Sequence, residues 1–378
     1  MWYILVLVCI QYFGFLSGIF AYLLIIQVIK RYLKHFLNIE MMSGNDEIFF
    51  LDDSRAYLNI VAFQKYEKWD YKTFRDKIVR KARQFPRLKS RVVKLFGLYM
   101  FQQMDDQEFL DNIENTCSEH TGVHNEEQLA EFMAKVQGER ERLDFIQWRC
   151  YFFPDYNEKE SVFVFKVHHS LADGIATVLM FFNLCDDPDY KDFPNLLVRF
   201  PVVQEILLTL AYPFILGYYT YVALTLPVVP NPFNEPKMRN NMTPVKNVVF
   251  SKDIGVPDIK SAIVKHTVNN KKPTFNDILM TAFSKTLKDY CLTTEKYKQV
   301  DEIELVCPFS LRPPPIGILD FEYNNDFAIV PVNLKLHSDL KDGLKKINKA
   351  MTELKKSITP VGMAYVNQVT MALPEFLR

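Results

Sequence analysis

His168-His169-Ser170-Leu171-Ala172-Asp173-Gly174, HHSLADG in one-letter form, follows directly on the apolar run SVFVFKV at residues 161–167. That run alternates well enough to be a buried strand. A strand ending in two histidines, then a short loop with Asp173 and Gly174, then an apolar helix-like run at 175–184, suits chemistry. Histidine titrates near neutral pH and can take a proton from a hydroxyl. Aspartate can fix the ring or the loop that carries it, and glycine leaves room where a larger side chain would block a substrate. Side chains alternate faces along a strand, so His168 and His169 point opposite ways and only one of them does the chemistry.

Taken singly, a buried histidine is more often a satisfied core residue than a base, and Asp-Gly is usually a turn. The combination after a strand is more specific. HHxxxDG resembles the motif of the CoA-dependent acyltransferase superfamily and, within it, of the wax ester synthase / diacylglycerol acyltransferase family. Other stretches are similar to family segments in the same order. Met42-Ser43-Gly44-Asn45-Asp46-Glu47-Ile48-Phe49-Phe50-Leu51 looks like the opening segment. Phe85-Pro86-Arg87-Leu88 with Arg91 looks like a helix end, and Leu143-Asp144 with Trp148-Arg149 like the entry to a hairpin strand. Thr274 to Leu279, TFNDIL, is close to "T-x-N-D-hh". Pro308-Phe309-Ser310-Leu311-Arg312 looks like "P-x-S-x-R". Asn325 stands where a "GN" pair is usual, with Asn324 in place of the glycine. The chain ends at Arg378, before the family's last motif, so the second lobe is expected to be short relative to the family.

The resemblance implies an α/β fold of two similar lobes, each a mixed sheet flanked by helices, with a tunnel between them. It implies that His169 is the catalytic base and His168 is not, and that Asp173 is structural and paired with Arg312. Asn276 is expected beside the active site as a hydrogen-bond donor, with Asp277 in support. Lys271 and Lys272 are candidate contacts for CoA phosphates. No permanent cofactor is implied; acyl-CoA is a co-substrate.

The composition narrows the classes. With 45 basic and 45 acidic residues the formal charge is zero, so nothing argues for a nucleic-acid partner. The 378 residues, 49% hydrophobic, make one large or two medium domains. Aromatic residues make up 14%, which fits either handling of apolar material or an AT-rich genome. The six cysteines form no CxxC pair, so there is neither a zinc signature nor a disulfide framework. No GxSxG elbow or phosphate-binding glycine loop is present.

Residues 2–29 carry no charge and are followed at once by Lys30, Arg31, Lys34 and His35. About 20 apolar residues suffice to span a bilayer, and flanking basic residues stay on the cytoplasmic side. The expectation is a single N-terminal span with the body cytoplasmic, at the endoplasmic reticulum or lipid droplet, or alternatively at the mitochondrial inner membrane. A second uncharged stretch at 206–226 lies between segments that must share one active site, so it cannot cross once. It reads as a kinked helix in the membrane interface or packed on the first helix, or else as a buried core helix. The divisions follow: 1–36 anchor, 37–198 first lobe, 199–240 apolar segment and Pro-rich linker, 241–378 second lobe. Helices are expected at 71–84, 107–137, 276–290 and 339–357. Strands are expected at 148–153, 162–167, 303–308 and 327–336.

Two functions remain open. One is a membrane-bound O-acyltransferase moving a fatty acyl group from acyl-CoA to a long-chain alcohol or diacylglycerol. The other is a non-catalytic acyltransferase-like subunit held with partner chains in a membrane complex.

Overall fold

The computed structural model describes residues 11, 14–51, 57–95, 97–184, 202–225, 233, 243, 245–267, 272–312 and 321–371. Helix α1 (Phe15–Leu37) leads through strand β1 (Ile39–Met41) to a one-turn helix α2 (Gly44–Glu47) and a 3-10 turn (Ile48–Leu51). Then come β2 (Asn59–Glu67), α3 (Tyr71–Ala82), β3 (Ser90–Leu95), β4 (Leu98–Gln103), α4 (Asp106–Thr116), β5 (Cys117–Glu119) and α5 (Glu126–Gln137). The hairpin β6 (Trp148–Phe153) and β7 (Glu160–His168) precedes α6 (Gly174–Leu184). After α7 (Val202–Thr225), the second lobe has α8 (Val256–Lys265), α9 (Phe275–Thr293), β8 (Glu302–Ser310), β9 (Phe327–Lys335), α10 (Leu340–Lys356) and α11 (Thr359–Met371).

The main sheet of the first lobe runs β2-β7-β6-β5, with β7 antiparallel to both neighbours and β5 parallel to β6. β7 is buried from Ser161 to His168, which is why its sequence is a nearly unbroken apolar run. Phe163, Phe165 and Val167 pack on one face with Phe74 and Ile78 of α3, Ile113 of α4 and Leu179 of α6. Val162 and Val164 pack on the other face with Leu129, Met133 and Val136 of α5. Lys166 is the exception in β7. It is fully buried, and its charge is met by Glu141 at 2.8 Å, which also takes Arg149 at 2.9 Å. A charge without such partners could not be buried there.

In the second lobe β8 and β9 pair antiparallel. Cys291 of α9, Ile303, Leu334, and Ile347 and Met351 of α10 form one cluster; Ala328, Val330 and Ala364 of α11 form another. The lobes join where α2 lies on α11. A Cβ added at Gly44 would stand 2.6 Å from Gln368 Cα, so glycine alone allows that approach. Asn45 Nδ2 donates to Phe327 O across the same junction at 2.8 Å.

One expectation needs correction. The stretch 107–137 is not one helix: Cys117–Glu119 pairs with β6 as a strand and separates α4 from α5. Val248 and Phe250, beyond residue 241, pack on the first-lobe cluster, with Phe250 meeting Phe63 of β2 at 5.2 Å. Among the described residues, no helix is long and apolar enough to cross a membrane. Residues 1–10, 12 and 13 of the apolar N-terminal run lie outside them. The stretch 206–226 is helical to Thr225, with Pro213 inside α7.

Candidate functional site

His169 follows the last residue of β7 and still pairs, its N–H donating to Leu58 O at 2.9 Å. The alternation along β7 turns it away from His168. His168 is buried beside Phe50, and its Nδ1 lies 2.8 Å from Ser170 Oγ. His169 is half-buried, and the Phe49 ring from the 3-10 turn stacks on it at 3.7 Å between centroids. Phe327 of β9 lies 6.3 Å away on the second-lobe side. His169 Nδ1 is buried with no hydrogen-bond partner among the described residues, which leaves Nε2 to meet a substrate. Burial pushes the His169 pKa down. Its own backbone, the Asn325 amide and Asp173 pull it up, His168 pushes it down, and the net result is lowered. The ring is therefore neutral, and able to accept a proton, over the whole neutral range.

Asp173 caps α6. Its Oδ1 accepts from Ala176 N at 2.8 Å, satisfying one of the helix's free amide groups. Its Oδ2 accepts from Arg312 Nη2 at 3.1 Å and from Asp326 N at 2.9 Å. Both side chains of the ion pair are nearly inaccessible. The guanidinium is not bidentate on the carboxylate: Nη1 donates to Glu322 O at 2.5 Å and Nη2 also to Asn324 O at 2.7 Å. The expected Asp173–Arg312 pair therefore forms, and it ties the loop after His169 to the second lobe.

A further inter-lobe link was not apparent from the sequence. Arg87 grips Asp46 with two parallel bonds, Nη1 to Oδ1 at 2.8 Å and Nη2 to Oδ2 at 3.0 Å, and also reaches Glu40 at 3.0 Å. Asp46 closes a capping box with Ser43 at α2. Asn325 Nδ2 then donates to Asp46 Oδ1 at 3.0 Å, to His169 O at 2.8 Å and to Ser170 O at 3.0 Å. For Asp46 the sequence offered its place in the stretch 42–51, similar to the family's opening segment, and a capping pattern that speaks of a helix end rather than of a site.

The other candidates fall elsewhere. Gly174 is exposed at the start of α6, and a Cβ there would meet no described atom within 4 Å, so no described neighbour demands glycine. Asn276 is exposed on the first turn of α9 and has no hydrogen bond to the His169 loop among the described residues. The helical period turns Asp277, Thr281, Ser284 and Cys291 inward and leaves residue 276 on the outer face. The amide that reaches the loop is that of Asn325. Asp277 is buried and structural: it closes a capping box with Thr274 and accepts from Asn348 Nδ2 at 2.8 Å. Lys272 is exposed; Lys271 lies outside the described residues. Among the described residues, no cluster of three or more metal-ligating side chains occurs.

No protein-family model and no curated sequence matches the chain. Solved structures do resemble it. The first condensation domain of the calcium-dependent antibiotic synthetase superposes with a TM-score of 0.58 at 11% identity, over 90% of this chain and 78% of that one. The TRI3 trichothecene 15-O-acetyltransferase of Fusarium sporotrichioides gives 0.56 at 12% identity, over 88% and 76%. The cyclization-docking bidomain of EpoB from Sorangium cellulosum gives 0.53 at 12%, over 94% and 72%. The chain thus has the two-lobed α/β fold of these condensation and cyclization domains and of the acetyltransferase.

Proposed function

We propose that the protein transfers an acyl group from a CoA thioester to the hydroxyl of an apolar acceptor, with His169 as general base. The observation that carries this reading is the placement of His169. It is a half-buried imidazole at the junction of two lobes, on a loop that both lobes grip. Nε2 takes the hydroxyl proton as the oxygen attacks the thioester carbonyl. The tetrahedral adduct collapses with cleavage of the C–S bond, and the imidazolium returns its proton to the departing thiolate. No acyl-enzyme is needed. Phe49 and Phe327 give the base an aromatic surround that suits apolar substrates. Long-chain alcohols and diacylglycerol are the proposed acceptors, wax ester or triacylglycerol the products, and the exposed Lys272 a contact for CoA phosphate.

The test is incubation of purified protein with acyl-CoA and each acceptor, following free thiol. Release of thiol no faster than with a His169→Ala variant would sink the proposal, and would leave the accessory-subunit role as the better account of the fold. The pH dependence has a definite sign. Histidine must be neutral to act, and the pKa of His169 is lowered by burial. The rate is therefore expected to hold as pH falls to about 6.5, the ordinary histidine value, and to drop only below it. Stability follows the same window: the contribution of His169 is complete above about 6.5 and is lost as pH falls through its lower native value. A pH–rate profile whose acid limb lies above 7 would contradict the assignment.

We propose membrane association as well, at the endoplasmic reticulum or a lipid droplet. Leu207, Leu210, Phe214, Tyr218, Tyr221 and Leu224 line α7 and are all exposed by 58% or more. The opposite face is covered, with Ile215 and Tyr219 buried and Tyr219 so close to α11 that a Cβ at Gly362 would overlap its ring. An apolar stripe of this length is costly in water, and residues 206–226 supply no charged rim of the kind a protein interface carries. A Leu210→Glu, Phe214→Glu variant is expected to lose co-flotation with phospholipid vesicles. Undiminished flotation would remove α7 from the membrane surface.

A further inference from the structure

Two buried polar atoms at the site lack partners, and they are complementary. Asn325 Nδ2 faces three oxygens: Asp46 Oδ1, His169 O and Ser170 O. That fixes the amide, because the flipped form would set Oδ1 against those same three acceptors. Asn325 Oδ1 then points away from them and is buried with no hydrogen-bond partner among the described residues. His169 Nδ1 is in the same state. An unsatisfied buried acceptor and an unsatisfied buried ring nitrogen on residues already joined through the His169 carbonyl call for a common explanation.

We propose that the Asn325 side-chain carbonyl holds His169 in its Nδ1–H tautomer and thereby presents Nε2 as the base. The proposal rests on the reading of His169 as a base and assigns Asn325 as its positioning residue. A base at Nε2 requires the ring proton on Nδ1, and a buried N–H requires an acceptor. In the structure the contact is not closed, and Phe49 lies stacked on the ring. The bond strengthens once Nε2 has taken the substrate proton and the ring is charged. The effect of Asn325 on His169 has the matching sign, favouring the protonated ring. Four other titratable or charged groups face the loop. Asp173, paired with Arg312, favours protonation, and His168 opposes it. Asp46 is neutralised by Arg87, and Asp326 donates its N–H to Asp173. The rival acceptor is His169's own backbone carbonyl, which already receives Asn325 Nδ2.

The test is nitrogen-15 NMR of the full chain labelled at histidine, with the His169 signals assigned through a His169→Gln variant. It reads tautomer and titration midpoint without requiring activity, so its failure is separate from a failure of the acyltransferase reading. The wild type should show the Nδ1–H form. Asn325→Leu, which removes both amide functions, should raise the Nε2–H fraction and lower the midpoint by about one pH unit. Asn325→Ala serves the same purpose should the leucine variant not fold. Asn325→Asp keeps an acceptor oxygen and should keep the Nδ1–H form with an unchanged or raised midpoint. A role limited to holding the loop predicts instead that all these variants behave alike. Retention of the Nδ1–H form and the midpoint in Asn325→Leu or Asn325→Ala would overturn the proposal and give the tautomer to the backbone carbonyl.

Discussion

Replacing His169 by alanine is expected to cut turnover by about 100- to 10,000-fold, the usual worth of a positioned general base, while the protein stays folded. Replacing His168 by glutamine is expected to do the reverse. The two side chains are adjacent in sequence and sit in different environments. His169 is half-buried, carries an unsatisfied Nδ1 and has one aromatic neighbour stacked on its face. Its loss sacrifices a stacking contact of roughly 0.5–1.5 kcal/mol and relieves an unsatisfied polar atom, so the net effect on stability is small. His168 is buried under Phe50 and hydrogen-bonded to Ser170. Its loss leaves Ser170 without that partner in a buried site, a penalty on the order of 1–3 kcal/mol, with the base untouched. Thermal melting and thiol release on the same two variants separate the roles. Equal rate loss from both, or full rate without His169, would refute the assignment of the base.

Why this much could be read from the chain, and no more, is visible in particular residues. The strand before HHSLADG is legible because β7 is buried on both faces and so has an apolar sequence. Thr274 with Asp277 is legible because a capping box is a local pattern of three-residue spacing, and both of its bonds form. Asp173 and Arg312 lie 139 positions apart, and family likeness, not periodicity, joins them. The Asp46–Asn325 contact spans 279 positions. Nothing local marks it, since Asp46 already has a sufficient local role in capping α2. Asn276 shows the opposite failure. Its neighbours match a motif, but the helical period sets it on the outer face, and the polar amide at the loop comes from β9's entry instead. Phe49 stood within a stretch similar to the family's opening segment, but an aromatic residue in an apolar turn looks like ordinary core until the turn is placed against the loop. The uncharged α7 was legible as helix; its exposure depends on which face α11 covers, which only the packing decides.

Breaking the Asp173–Arg312 pair from either side is expected to cost about 3–5 kcal/mol of stability, the usual penalty for stranding a buried charge. The side chains retain only 8% and 4% of their exposure, so solvent screening does little to soften the loss. The two single variants should not be equal. Asp173→Asn keeps an oxygen to cap α6 through Ala176 N and loses mainly the charge. Arg312→Leu also strips donors from Glu322 O, Asn324 O and the Asn324 side chain, so several acceptors lose their partner at once. It should be the more damaging of the two. In the double variant no charge is stranded, and the total loss should fall below the sum of the singles. Because the pair links the loop after His169 to the second lobe, Asp173→Asn should also lower turnover through misplacement of the base. That loss should be smaller than for His169→Ala, and the acid limb should stay below 6.5. Urea denaturation of the three variants measures the cycle. Single-variant losses under about 1 kcal/mol, the range of exposed ion pairs, or strict additivity, would show that the two residues are not a buried, coupled pair and that the lobes are held by their other contacts, those of Asn325 and Asn45 among them.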